Sequence, residues 1–341
     1  MLIKALKYTL YITLVISVLL SCLIFWPRTY NVPGLKKRTG TLYWKLQTGS
    51  TIAYTLITGR GNKKPTPVIY LHGGPGGAIS DRIIKSLSPI ADSGYDVYLY
   101  DQIGSGQSAR LENISEYTAE RHVQDLAAII KQTGAKKVIL IGQSWGAILA
   151  DLFTAEHAEN VEKIIFINPG PIFPVKPSLA KLAAPDSLHL KAPVLTNAMG
   201  SAKANNIRTR TMAFIALKFG KKLAKDEEAD NFATYLNFEV NKSTVCDTAK
   251  AAPPEAGGGF YVSLITFNSL RNVHNPRMAL AINNLPVLVM KGQCDNLPWG
   301  YTAEYLQVFG NHQLVVVPGA GHFIELEQPD RYINTIVHFL H

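Results

Sequence analysis

The sequence predicts an α/β protein built on a mostly parallel sheet, and two observations carry this reading. Short, continuous apolar runs rich in β-branched residues recur at 68–71, 97–100, 138–141, 164–167, 287–290 and 314–317. Runs that do not alternate with polar residues belong to strands buried on both faces. Helix-length amphipathic segments fall between most of them, at 82–91, 119–131, 147–157 and 302–309, the pattern of parallel strands joined by helices on both sides of a sheet. Two alternating stretches, 41–46 and 51–57, precede the series and read as strands.

The alternation of strand and helix breaks between 171 and 276. That Lys- and Ala-rich stretch holds helical segments at 210–225 and 227–239 and no parallel strand, so it reads as a helical cap inserted into a core made of 41–170 and 277–341. Residues 251–259, with two prolines and three consecutive glycines, are the expected flexible loop. A chain of 341 residues with 47% hydrophobic composition supports one large core with an insertion rather than two independent domains.

From Tyr8 to Trp26 there is no charge, and Leu, Ile, Val, Tyr and Phe dominate. At about 1.5 Å per residue this stretch just reaches across a hydrocarbon layer of about 30 Å. Residues 1–30 therefore read as a single-pass membrane anchor and 31–40 as a linker. A cleaved signal would have a shorter apolar run and a small-residue cleavage site, whereas this one ends Ile24-Phe25-Trp26-Pro27-Arg28. Leu19-Leu20-Ser21-Cys22 also resembles a lipoprotein signal, but the chain stays apolar after Cys22. Lys4 and Lys7 on one side oppose Lys36, Lys37 and Arg38 on the other; the reading adopted is a domain outside the cytoplasm.

The formal charge of +9 is spread along the chain and matches no nucleic-acid-binding module, so no nucleic acid is expected as a partner. Basic surface near anionic lipid is the simpler account. The three cysteines, Cys22, Cys246 and Cys294, form no paired metal signature. A Cys246–Cys294 bridge is open on sequence grounds.

Gly142-Gln143-Ser144-Trp145-Gly146 follows an apolar strand and opens a helical pattern. Flanking glycines there permit the sharp turn that presents a serine hydroxyl at the carboxyl edge of the sheet, so Ser144 is the expected nucleophile. A serine hydroxyl needs a base to take its proton. Of nine histidines, His322 is best placed, because Pro318-Gly319-Ala320-Gly321 follows the last strand and presents it at the same edge. Asp295, just beyond 287–290, completes the order Ser, Asp, His and would fix the imidazole tautomer. For the oxyanion, the amide of Trp145 and one from Gly73 or Gly74, in His72-Gly73-Gly74-Pro75-Gly76-Gly77, are the expected donors, with Gly74 preferred. A phosphate-binding reading of that loop lacks the Gly-Lys-Ser/Thr ending it would need. These features together predict an α/β-hydrolase fold with a serine hydrolase site.

His72-Gly73-Gly74-Pro75-Gly76, Asp101-Gln102-Ile103-Gly104-Ser105-Gly106-Gln107-Ser108, Gly142-Gln143-Ser144-Trp145-Gly146 and Gly319-Ala320-Gly321-His322 resemble, in this order, the motifs of the proline iminopeptidase family. The resemblance runs from about Tyr43 to the C-terminus. It implies release of an N-terminal residue, often proline, from short peptides without a metal or organic cofactor. The chain departs from the pattern in three places. Ile103 stands where the family usually has arginine, and Gln143 where glycine commonly precedes the nucleophile. Tyr235-Leu236-Asn237-Phe238-Glu239 resembles the first of the family's two acidic motifs, which implies Glu239 as a ligand for a substrate ammonium, but Gly257-Gly258-Gly259-Phe260-Tyr261 replaces the second. An esterase acting on carboxylic esters or lipid-like substrates uses the same machinery. A non-enzymatic ligand-binding module of this fold would commonly lack a member of the triad.

Overall fold

In the computed structural model, which describes residues 2–341, strands β1 (Leu42–Lys45), β2 (Thr51–Ile57), β3 (Val68–Leu71), β4 (Val97–Tyr100), β5 (Val138–Gln143), β6 (Val161–Ile167), β7 (Val287–Gly292) and β8 (His312–Val317) form one sheet. Their order is β1-β2-β4-β3-β5-β6-β7-β8. The pairs β1–β2 and β2–β4 are antiparallel and the rest parallel. Strands β3, β5 and β7 are buried at every position, which is why their sequences show no alternation. The edge strands β1 and β8 carry the exposed residues.

Helices α1 (Leu2–Phe25), α2 (Asp81–Leu87), α3 (Ala119–Thr133) and α4 (Trp145–His157) precede the insertion. In α4 every residue from Trp145 to Thr154 is buried, so it is a core helix packed on all sides. The helix expected at 82–91 stops at Leu87 and continues as a 3₁₀ turn over Ser88–Ser93, because Pro89 lacks the N–H that an α-helix would use.

Between β6 and β7 lie α5 (Asn197–Ala204), α6 (Ile207–Phe219), α7 (Asp226–Asn241), α8 (Phe260–Ser269) and α9 (Arg277–Ala281). Helix α6 begins and ends earlier than the expected 210–225. Asn206 and Thr209 form a reciprocal capping box at its start, and Gly220 ends it in the left-handed conformation at φ 63°. After β7 come α10 (Trp299–Val308), α11 (Ile324–Glu327) and α12 (Pro329–Leu340).

Helix α1 is long and apolar enough to cross a membrane over Lys4–Phe25, and none of that stretch is buried against the rest of the protein. The segment 31–40 is docked along the core. Arg38 donates to the buried carboxylate of Asp101 at 2.8 Å and to the carbonyl of Ile79 at 3.0 Å. Asp101 also accepts from the amides of Ile79 and Gln107, so the Asp101–Ser108 motif organises a loop and fastens the N-terminal segment to the sheet.

Candidate active site

Ser144 sits between β5 and α4 with φ 54°, a conformation rare for a residue with a side chain. The turn survives because the residues two positions to either side, Gly142 and Gly146, lack side chains. A Cβ on Gly146 would come within 2.0 Å of the Leu71 carbonyl, and one on Gly142 within 2.5 Å of the Gly146 carbonyl. The Ser144 amide donates to the Ile167 carbonyl, and its own carbonyl accepts from Ala147 and Gly170. The strained residue is thus held by β6 and by the loop after it.

His322 and Ser144 line the same cavity, about 420 Å³ in volume. Asp295 Oδ1 accepts from His322 Nδ1 at 2.6 Å, which leaves Nε2 as the ring nitrogen open to other partners. Asp295 is buried. Burial works against its charge, but the Lys291 ammonium and the His322 ring outweigh it and hold the carboxyl at about 2. Lys291, itself buried on β7, bonds Asp295 Oδ2 and the Leu297 carbonyl. Sequence reasoning passed over Lys291 because a lysine in a strand usually reads as an exposed charge. The usable signal was its place directly after the continuous apolar run 287–290 and ahead of the Gly292 that ends the strand.

Further residues hold the histidine loop. Asn168, at the end of β6, donates to the His322 carbonyl at 2.8 Å and accepts from the Gly292 amide at 2.8 Å; one side chain thereby ties the His322 loop to β7. Gln143 accepts from the Tyr70 hydroxyl at 2.8 Å and donates to the His322 carbonyl at 3.4 Å. From the insertion, the Thr244 carbonyl accepts from the His322 amide at 2.6 Å. The carboxylate of Glu327 gathers the amides of Gly321, Cys246 and Asp247. Cys246 and Cys294 are joined by a disulfide, so the insertion is covalently fastened to the residue preceding Asp295.

The glycine loop after β3 lies against the serine. A Cβ on Gly73 would stand 3.4 Å from Ser144 Cβ, and Gly73 and Gly74 both line the cavity. Gln102 braces this region: its side chain donates to the His72 carbonyl and accepts from the Trp145 indole, and its amide donates to His72 Nε2. Burial pushes the His72 imidazole below its ordinary range, and a neutral ring can accept that bond. Ile103, where the resembling family carries arginine, is buried and apolar.

Glu239 is not brought to the cavity. Asn237, Val240 and Asn241 of α7 line it, while Glu239 turns aside and receives Lys203 at 3.0 Å and Lys242 at 2.8 Å. Its charge is met by two lysines, one from α5 and one just past the end of α7, and not by a group on the cavity wall. The carboxylates that do line the cavity are Glu255 and Glu325, and both hold Arg82. Burial raises the Glu325 carboxyl above its ordinary value against the pull of Arg82.

The strand order, the strained serine at the carboxyl edge and the loop that carries His322 are those of one broad class, and a model of the alpha/beta hydrolase fold matches residues 66–329. The chain belongs to the α/β-hydrolase fold family. Within it, the chain is similar to proline iminopeptidases: it is 36% identical to that of Lactobacillus helveticus over 115 residues, 33% of this chain and 38% of the relative. Over 104 residues it is 34% identical to that of Clostridioides difficile (strain 630), 30% of this chain and 35% of the relative. The matched stretch thus spans well under half of either relative. Many solved structures share the fold, among them the following two. Proline iminopeptidase from Mycobacterium smegmatis superposes with a TM-score of 0.57 at 19% identity, covering 88% of this chain and 97% of that one. An esterase from Exiguobacterium antarcticum gives 0.58 at 18% identity, covering 87% and 98%.

Proposed function

We propose that this protein is a membrane-anchored serine hydrolase that cleaves short acyl substrates by acyl transfer, with N-terminal residues of peptides as the leading substrate class. The observation that carries the reading is the strained Ser144 on the wall of a cavity it shares with His322, whose ring is bonded to Asp295. In this mechanism His322 Nε2 takes the Ser144 Oγ proton as Oγ attacks the substrate carbonyl, and Asp295 holds the Nδ1–H tautomer and stabilises the imidazolium. The amides of Trp145 and of Gly73 or Gly74 receive the oxyanion. Collapse expels the amine or alcohol with the proton from His322. Water then enters by the same route, and the acid leaves while Ser144 regains its proton.

The ester reading is kept for a specific reason: Glu239 is already neutralised by two lysines, which removes one expected handle for a free amino group. The anchor reading rests on the bare apolar helix at Lys4–Phe25. A domain outside the cytoplasm is supported by the Cys246–Cys294 disulfide, since such bonds persist in oxidising compartments. The test is a paired assay of aminoacyl arylamides and short-chain esters, with fluorophosphonate labelling of the full chain in detergent. Faster turnover of free-amino arylamides supports the peptidase assignment, and turnover of esters alone replaces it. Labelling at a serine other than Ser144 would remove Ser144 from the mechanism.

A further inference from the structure

Helix α6 is clamped to the end of α1. Arg208, buried at its first turn, donates to the carbonyl of Ile24 and makes a two-pronged bond to Glu228. Glu228 also accepts from the Arg28 amide at 2.9 Å, so both ends of the turn that leaves α1 are fixed to the cap. Ile24 belongs to the last turn of the apolar helix, so the start of α6 stands where that helix would emerge from a bilayer.

The face that α6 turns outward is unusual for a soluble surface. Ile207, Arg210, Phe214, Leu217 and Lys218 are exposed and follow one another at helical spacing along a single stripe, and Lys221 is exposed just past the Gly220 cap. Phe214 is 54% and Phe219 57% exposed. Lys218 Nζ lies 5.5 Å and 5.7 Å from the two ring centroids, an ammonium at the edge of an apolar patch rather than in an ion pair. From 205 to 225 there is no acidic residue. On the opposite face Met212 and Ala216 are buried, and α6 packs on α8, whose Ser263 and Phe267 line the cavity.

We infer that α6 is a second membrane contact, lying in the interfacial layer of the leaflet from which α1 emerges, with Ile207, Phe214, Leu217 and Phe219 among the upper acyl carbons and Arg210, Lys218 and Lys221 at anionic headgroups. Mixed apolar and basic residues on one helical face suit that layer, because long basic side chains can reach headgroups while their neighbours stay in hydrocarbon. Continuity with the span decides in favour of lipid over a protein partner: a patch fixed to the end of a membrane helix meets the bilayer first. The cavity is then held at a set height above the headgroups through α8. This inference rests on the reading of α1 as a membrane anchor.

The test uses the full chain with Cys22→Ser, spin-labelled one site at a time through Trp26→Cys, Phe214→Cys, Leu217→Cys and Lys131→Cys, in phosphatidylcholine bilayers with and without phosphatidylglycerol. Collisions with oxygen, which concentrates in lipid, are compared with those of a water-soluble nickel chelate. Oxygen should dominate at 26, 214 and 217 and the chelate at 131, a reversal of the ratio that deepens with phosphatidylglycerol. Labels at 214 and 217 that behave like 131, while 26 reports lipid, overturn the inference and leave the anchor standing. A label at 26 that reports water overturns the anchor and this inference together. Labels at 214 and 217 shielded from both reagents mark a protein contact and overturn the assignment to lipid. Phe214 and Leu217 are exposed, so these labels leave the fold intact, which unchanged turnover of a soluble chromogenic ester verifies.

Discussion

The ammonium of Lys291 rests against Asp295 Oδ2 on the side of the carboxylate away from His322, with both residues out of solvent. The Lys291 ammonium and the His322 ring therefore share one buried carboxylate and hold it ionised. A buried ion pair is not stabilising by default, but removing one partner strands the other.

Lys291→Met should for that reason cost about 3–5 kcal/mol of stability. Its acid behaviour has a definite sign. The Asp295 carboxyl is depressed to about 2, so its contribution to stability is complete above its ordinary value of about 4 and is lost as pH falls towards 2. Without Lys291 the folded-state value rises and that contribution disappears at higher pH. Circular dichroism followed across an acid titration should place the unfolding midpoint of Lys291→Met above that of the parent. An unchanged midpoint would make the lysine a bystander.

Ser144→Ala should lower kcat by at least about four orders of magnitude while leaving Tm within a few degrees. The hydroxyl makes no hydrogen bond that the fold depends on, and alanine must accept the same backbone strain. Loss of fluorophosphonate labelling in parallel with activity is the check.

Replacing both Cys246 and Cys294 by alanine, or reducing the bond, should lower both stability and turnover. With a sequence separation of 48 between the two cysteines, loop closure corresponds to about 4 kcal/mol in the chain-entropy treatment. Turnover should fall beyond what partial unfolding explains, because the bridge joins the segment that supports the His322 amide to the residue before Asp295. Kinetics measured well below Tm, with the folded fraction determined in the same sample, separate the two effects.

Glu239→Gln should leave KM for free-amino substrates unchanged, since the side chain is engaged by Lys203 and Lys242 and lies off the cavity wall. The expected cost is about 1 kcal/mol or less of stability, because both lysines are at least partly in solvent. A rise in KM confined to free-amino arylamides would show that the two lysines release Glu239 when substrate arrives.

What the sequence determined by itself is whatever local rules govern. The apolar runs of β3 to β8 mark a sheet covered on both faces, and Ser144 stands out because glycines at 142 and 146 bracket it between a strand and a helix. Asp295 and His322 follow because each lies in a loop directly after a strand, where chain order alone brings it to the sheet's carboxyl edge. The tertiary structure decided what depends on distant segments meeting. Asn168, Lys291, Thr244 and Glu327 come from four separate places and converge on the loops of Asp295 and His322 through hydrogen bonds, most of them to backbone groups, that carry no sequence pattern. Cysteine spacing left the bridge open, and the fold settled it by bringing the two Cα atoms within 5.2 Å. Glu239 shows the same limit: its motif is readable, but the rotation of α7 about its own axis, set by packing against α5 and α8, sends Asn237 and Asn241 to the cavity and the carboxylate to the lysines.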